Sequence, residues 1–480
     1  MSRVHPTVRS KAMLSSAVAL SALWCSGSSV TAADALSAQQ QRAFAIYKEL
    51  VEINTTTETG DTGRAVDAMA ARLRAAGFPE ADVHAFKPAA RKGNLVARFR
   101  GTGAKKPILL LAHIDVVPAN PDDWSTEPFR LTEIDGYYYG RGTADDKYMA
   151  SALIANLIRY KEEGFRPDRD IIVALSTDEE ILDRDGYGIS WLIKNQRALI
   201  DAEFALNEGG GVGVKNGKTI RNSVQTSEKV SVSWRLEVKD RGGHSAVPRQ
   251  DNAIYHLADG LSRLSRFNFP LNLNTTTRAS FEDAAKQENA QTAADIRSAL
   301  SNRPDPASLD RLYANPQHNA QLHTTCVATM LQGGHAYNAL PQAASAVVNC
   351  RIMPGEPVDG VKATLARVVA DDRIAFTELA PPIISQPSAL NGEILSAIEK
   401  TSGEIFPGVP IVPIMGQGAT DGSYLRNAGI PTYGNTGLAG DVDDVRSHGQ
   451  DERVAQTSFF QGHEYLYRLV KRLAKPEESR

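Results

Sequence analysis

Three apolar runs in this chain each end near a histidine or a carboxylate. ILLLA runs into His113, IIVALS leads to Glu179 and Glu180, and FAL leads to Glu208. None of the runs alternates apolar with polar residues, so each must bury both faces. Strands of a parallel sheet covered by helices on either side do this. Helical periodicity marks residues 35–51, 62–76 and 148–164, which supply the covering layers. The pattern predicts an α/β fold with a mainly parallel sheet and helices on both faces. Ligands in such folds bind beyond the carboxyl ends of the strands, which is where these acids and the histidine fall.

Two further segments offer residues of the same chemistry. Asp145 lies in YYYGRGTADDK, after two glycines, and His448 lies in VRSHGQDERV. With His113, Glu179, Glu180 and Glu208 they supply two imidazoles, three carboxylate ligands and one spare carboxylate, the inventory of a two-metal hydrolase site. Each fragment alone has a plainer reading. A histidine after a strand is usually structural, but Asp115 stands two residues past His113, and a carboxylate behind an imidazole is the usual support of a metal ligand. Asp145 can bridge two cations through its two oxygens, whereas an acid before a helix is more often a cap, a role that suits Asp146. Glu179 and Glu180 point different ways, so one can bind metal while the other stays free as a base. Glu208 precedes three glycines that allow close backbone approach. His448 precedes Asp451-Glu452-Arg453, which resembles a helix start with acids in its first turn. His84, His256, His323 and His335 have no carboxylate partner nearby in sequence and are expected to be structural or exposed.

From about Glu228 the pattern changes. KVSVSWRLEV alternates, as a half-buried strand does. An amphipathic helix at 252–264, a hairpin carrying Cys326 and Cys350, a helix at 358–369 and a strand at 373–379 complete a β-α-β-β-α-β order, the ferredoxin-like arrangement. Residues 274–323 interrupt it and are expected to form a helical surface insertion. The expected organisation is a signal segment at 1–32, a catalytic domain at 33–224 and 383–480, and an inserted lid and dimerisation domain at 225–382.

The chain of 480 residues is long for one core, which fits that division. Its formal net charge of −3 gives no basic footprint for nucleic acid, and no long apolar run past the amino terminus predicts a membrane span. Arg3, Arg9 and Lys11, an apolar stretch at 13–24 and Val30-Thr31-Ala32 have the form of a cleavable secretory signal cut after Ala32, which predicts a periplasmic or secreted protein. Cys326 and Cys350 flank the hairpin turn about equally, and the spacing fits either a disulfide or two buried thiols.

The segments HIDVVP, GRGTADDK, STDEE, NEGG, GGHSAVP, NALP, NCRIMPG, GATDGS and HGQDER occur in this order along nearly the whole chain after the signal. In that order they resemble the M20 family of metallopeptidases, and EGFRPDRDI and GGHSAVPRQDNAIY are most similar to its carboxypeptidase-S-like and dipeptidase branch. The resemblance implies two zinc ions, with cobalt or manganese as substitutes. His113, Asp145 and Glu208 would hold one, and Asp145, Glu180 and His448 the other. It also implies that Asp115 orients His113, Glu179 acts as general base and acid, and His244 stabilises the oxyanion from the lid. Asn338 and Arg351 would bind a substrate carboxylate, and Gly418, Thr420 and Asp421 would line the pocket. The lid would pair two copies, with His244 reaching the partner's site. Tyr148 stands where the family usually has glycine and is expected to reshape the cleft. The implied reaction is hydrolysis of an amide near a free carboxylate, by an exopeptidase acting on small peptides or by an N-acyl amino acid amidohydrolase. A non-catalytic binding protein and a two-metal phosphoesterase fit the residues less well.

Overall fold

The computed structural model describes residues 36–475, so the signal-like segment lies outside the described residues. Ten strands form the larger sheet. Its path runs Val83–Ala89, Lys92–Phe99, Ile171–Ser176, Ile108–His113, Phe204–Asn207, Thr432–Gly434, Lys218–Glu228, Val212–Lys215 and Ala439–Asp441, with Ile411–Gly416 also paired to Lys218–Glu228. The four strands from Ile171–Ser176 to Thr432–Gly434 are mutually parallel, and the strands at the Val83 edge are antiparallel.

The central strands are apolar throughout because their two faces feed two separate cores. Ile108, Leu110 and Ala112 join a cluster under the helices Ala38–Glu52, Thr62–Ala75, Lys147–Glu162 and Gln456–Leu473. Leu109 and Leu111 enter a second cluster with Ile189, Leu192 and Leu425 on the opposite face. Ile171, Val173 and Leu175 divide from Ile172 and Ala174 in the same way. A polar residue within the apolar part of these runs would have to find a partner there or be buried at a cost.

The smaller sheet has the order Thr325–Gly333, Ala343–Ile352, Val230–Lys239 and Ala375–Glu378, all antiparallel. Val230, Val232, Trp234, Leu236 and Val238 face a core shared with the helices Ala253–Leu264 and Val358–Val369. This is the β-α-β-β-α-β order read from the sequence. Cys326 and Cys350 face each other in register and are joined by a disulfide.

Two expectations change. The segment at 274–323 is helical, with a small core of Phe281, Ile296, Ala299, Leu312 and Leu322, but it is more than a surface insertion. Its first helix, Thr275–Gln287, packs along the Ile411–Gly416 strand, and the buried Thr276 and Thr226 hydroxyls meet at 2.9 Å. Tyr148 does not reshape the cleft. It is fully buried, donates from its hydroxyl to the Thr436 carbonyl at 3.2 Å, and meets Phe459 and His463 edge-on.

Candidate metal centre

His113 ends its strand beside Ser176, and both lie at the carboxyl edge of the parallel core. The His113 ring is buried and its Nδ1 lies 3.0 Å from the Asp115 carbonyl oxygen. A carbonyl only accepts, so Nδ1 carries a hydrogen and Nε2 faces the acids. Asp115 therefore orients His113 through its backbone; its carboxylate is 3.7 Å from Nδ1. That carboxylate instead accepts the N–H groups of Glu179 at 3.2 Å and Glu180 at 3.1 Å. One aspartate thus fixes both the histidine and the acidic turn.

That turn is a single 3₁₀ turn, Glu179–Ile181, flanked by left-handed residues Asp178 (φ 68°) and Leu182 (φ 56°). Asp178 pairs with Lys92, and Asp183 accepts the N–H groups of Gly188 and Ser190, both at 2.7 Å. The reversal sends the two glutamates apart. Glu180 reaches His448 Nε2 at 2.9 Å, while Glu179 groups with His113 and Glu208.

Asp145 stands between the two histidines. Its Oδ1 is 3.0 Å from His113 Nε2 and its Oδ2 is 3.3 Å from His448 Nε2. Glu208 lies on the His113 side, 3.9 Å from Nε2. Gly209 follows with φ 108°, and a Cβ on Gly210 would fall 2.3 Å from the Gly434 carbonyl oxygen, so this turn admits no side chain there. His448, half-exposed, has φ 63°. The residues after it do not start a helix: they turn, form the short strand Arg453–Ala455, and enter the helix Gln456–Leu473.

The charge balance of the cluster is uneven. Burial would raise Asp145, but hydrogen bonds from His113 and His448 hold it well below the usual carboxylate range. Burial pushes Glu208 up to about 8, with Asp145 and Asp421 adding to the shift and His113 opposing it. Burial and then Glu208 drive Glu179 well above its ordinary value. The contacts with Asp145 and Glu180 raise His448 to about 10. Carboxylates outnumber the cations placed to balance them.

Two cavities flank the cluster and meet at Ala419 and Thr420. The smaller, ≈ 610 Å³, is bounded by Glu179, Asp421, Lys229 and the small-sheet residues Ser231 and Ser233. Arg351 lies opposite Ser231 in register and shares its face. The larger, ≈ 1590 Å³, opens at Gly209, Gly418, Thr420 and Ser447. Asp421 accepts from Ser176 Oγ at 2.6 Å, and burial pushes it up to about 8. His244 and Asn338 are not brought to the cluster. They lie on an exposed ribbon pairing Gly243–His244 with Ala339–Leu340, and His244 Nδ1 accepts the Ala246 N–H at 3.0 Å.

Several supporting residues were not anticipated. Glu452, fully buried, accepts the N–H groups of Gly142 (2.9 Å), Ala144 (2.7 Å) and Asp145 (3.1 Å), and pairs with Arg141 at 2.6 Å. It shapes the loop that presents Asp145. Its position four residues after His448 was the available signal. Glu228, buried where the large sheet passes to the small one, pairs with Arg426 and accepts from Thr420 Oγ1 at 2.9 Å and from Ser423. His256 has carboxylate partners after all, Asp251 at 2.8 Å and Asp371. Asp146 occupies the N-cap position of Lys147–Glu162.

Residues 109–472 match the sequence profile of peptidase family M20/M25/M40. The chain belongs to this family. It is 29% identical over 382 residues to the human N-fatty-acyl-amino acid synthase/hydrolase PM20D1, covering 78% of this chain and 75% of that protein. It is 29% identical over 394 residues to a probable carboxypeptidase S-like 2 of Dictyostelium discoideum, covering 80% and 75%. Among solved structures, an M20 family metallo-carboxypeptidase, Sso-CP2 of Sulfolobus solfataricus, matches with a TM-score of 0.65 at 18% identity, covering 89% of this chain and 98% of that one. The chain is therefore a metal-dependent hydrolase of the M20 peptidase and amidohydrolase family.

Proposed function

We propose that this M20 enzyme is an exopeptidase with two metal ions, cleaving an amide beside a free carboxylate. The observation that carries the reading is Asp145, whose two oxygens face two different histidines, with the spare carboxylate of Glu179 beside His113 and Glu208. The donor set fits divalent cations. His113 presents Nε2 because Nδ1 is engaged, and the uncompensated carboxylates favour positive charge. His113, Asp145 and Glu208 would hold one ion, and Asp145, Glu180 and His448 the other. Mixed imidazole and carboxylate ligands suit zinc, and cobalt or manganese would fit the same set.

Bound there, the cations would polarise the scissile carbonyl and lower the pKa of water. Glu179, buried and raised, accepts a proton from the attacking water and returns it to the leaving amine. Asp115 holds Glu179 in place through its backbone N–H. Arg351 offers a planar fork to the substrate carboxylate, which confines attack to a terminal amide. Thr420 and Asp421 line the space beside Glu179.

His244 and Asn338 suit the site of a second copy. Their ribbon is exposed, and the neighbouring edge strand Thr325–Gly333 exposes Val327, Met330 and Leu331. We infer a homodimer through the lid, in which His244 stabilises the partner's oxyanion and Asn338 helps hold its substrate. The residues 1–32 support export to the periplasm or beyond.

A second reading, N-acyl amino acid hydrolysis, has support in the human relative and uses the same groups. Free and N-acylated dipeptides offered to metal-stripped and zinc-reloaded enzyme separate the two by which substrates release an amino acid. Glu179→Gln should retain both metals and lose roughly 10²–10⁴-fold in kcat, the usual worth of a general base. A fully active variant would refute the mechanism.

A further inference from the structure

The helical segment at 274–323 has no part in the chemistry above, yet it closes one side of the larger cavity. Phe281, Gln287 and Gln317 come from it and face the strand and loop at 414–420. Gln317 Oε1 accepts from Gln417 Nε2 at 3.4 Å, so the segment touches the loop that carries Thr420 and Asp421. The cavity starts at Gly209 and Ser447, next to the proposed ligands Glu208 and His448.

The orientation of a substrate follows from the two cavities. Lys229 and Arg351 lie on the side of the smaller one, which suits a terminal carboxylate and its residue. The other half of the cleaved amide must then enter the larger one. At ≈ 1590 Å³ that space exceeds what a small ligand fills, so it suits more than one residue. Its lining mixes the amides of Gln287, Gln317 and Gln417 with apolar Phe281, Met415 and Val445. A primary amide both donates and accepts, as a peptide backbone does.

Resting on the exopeptidase reading, we propose that the inserted helices form a subsite for the peptidyl half of the substrate. The enzyme is then a carboxypeptidase favouring extended peptides over dipeptides. The amides of Gln287 and Gln317 contact the substrate backbone and make the selection.

The test is the release of free leucine from acetyl-Leu, acetyl-Gly-Leu, acetyl-Gly-Gly-Leu and dodecanoyl-Leu, by zinc-loaded full-length protein. In the wild type, kcat/KM should rise about tenfold from the shortest to the longest peptide, the worth of one or two hydrogen bonds. In the exposed double substitution Gln287→Ala, Gln317→Ala, that long-to-short ratio should collapse toward one, with the melting temperature preserved. A flat length profile, a preference for dodecanoyl-Leu, or a ratio unchanged by the substitutions would overturn the subsite while leaving the amidohydrolase intact. Release from none of the four would overturn the exopeptidase reading itself.

Discussion

Replacing Glu452 by alanine tests how the Asp145 loop is held. Glu452 takes no part in the proposed ligand set, yet one carboxylate receives the Arg141 guanidinium and three amides of one loop. Both side chains are almost wholly buried, 3% and 1% exposed. Deleting one member of a buried pair strands the other charge, which costs about 3–5 kcal/mol. Each amide left without an acceptor would add about 1–3 kcal/mol, but water entering the space of the lost side chain satisfies some of them, so the terms do not sum. Arg141 also keeps its bond to the Gly449 carbonyl at 2.9 Å and its place over Trp124. A loss of about 4 kcal/mol is therefore expected, near the middle of that range. Arg141→Met should cost less, because Glu452 keeps three amide donors and only the cation is lost. Urea denaturation at fixed zinc concentration measures both, and a double-substitution cycle gives the coupling. Since the loop presents Asp145, zinc affinity by calorimetric titration should also fall roughly 10–100-fold in Glu452→Ala. A change under about 0.5 kcal/mol with unaltered zinc affinity would show that the cradle neither stabilises the fold nor positions the ligand.

Three further outcomes are expected. Cys326→Ser should lower stability by about 3–4 kcal/mol, from the chain entropy of a loop closed across 24 positions, and an unchanged urea midpoint would refute it. Glycine to alanine inside a helix normally stabilises by about 1 kcal/mol, but Gly462→Ala should destabilise, because its Cβ would fall 1.8 Å from the buried Tyr148 hydroxyl; a raised melting temperature would contradict the packing. In the metal-stripped enzyme, Glu208 is raised from an ordinary 4.5 to about 8, so the folded state binds its proton more tightly than the unfolded chain. Stability should then fall as pH climbs from 4.5 to 8, and zinc should suppress the fall by holding the carboxylate ionised. Melting curves with and without chelator that run parallel across that window would count against it.

The apolar strands and their terminal acids were legible because burial on both faces leaves an unmistakable run, and a strand that ends at the sheet edge delivers its next residue to the site. The strands Val83–Ala89 and Lys92–Phe99 were not: the first is a half-buried antiparallel edge, and the second, though buried along its middle, mixes Lys92, Gly93, Asn94 and Arg98 with its apolar residues. The hairpin of Val212–Lys215 and Lys218–Glu228 was missed although Asn216-Gly217, both at positive φ, is the residue pair such a turn demands. Tyr148 misled in the other direction. A residue replacing a family glycine beside a metal ligand looks like a change to the cleft, but helix periodicity turns the next position toward the Gln456–Leu473 helix, where Gly462 leaves the room it needs.

The proposed ligands and their supports were unequally visible for a physical reason. A residue that binds substrate or metal must stand at the end of an element, so local pattern marks it. A residue that holds such an element in place acts on backbone N–H groups far away in sequence: Glu452 on the 142–145 loop, Asp115 on the turn at 179–180. Their closeness in sequence to His448 and His113 hints at a supporting role, but the backbone groups they hold lie too far along the chain for a local pattern to show. Glu228 extends the same arrangement to the junction of the two sheets. It binds Arg426, Ser423 and Thr420 at once, and Arg426 reaches Ser385 on the returning segment at 3.1 Å. Both chain crossings between the sheets are thus fastened to the loop that carries Asp421. Glu228 therefore stands where both crossings meet the cavity beside Glu179, whose wall its neighbours Lys229, Thr420 and Ser423 help to form.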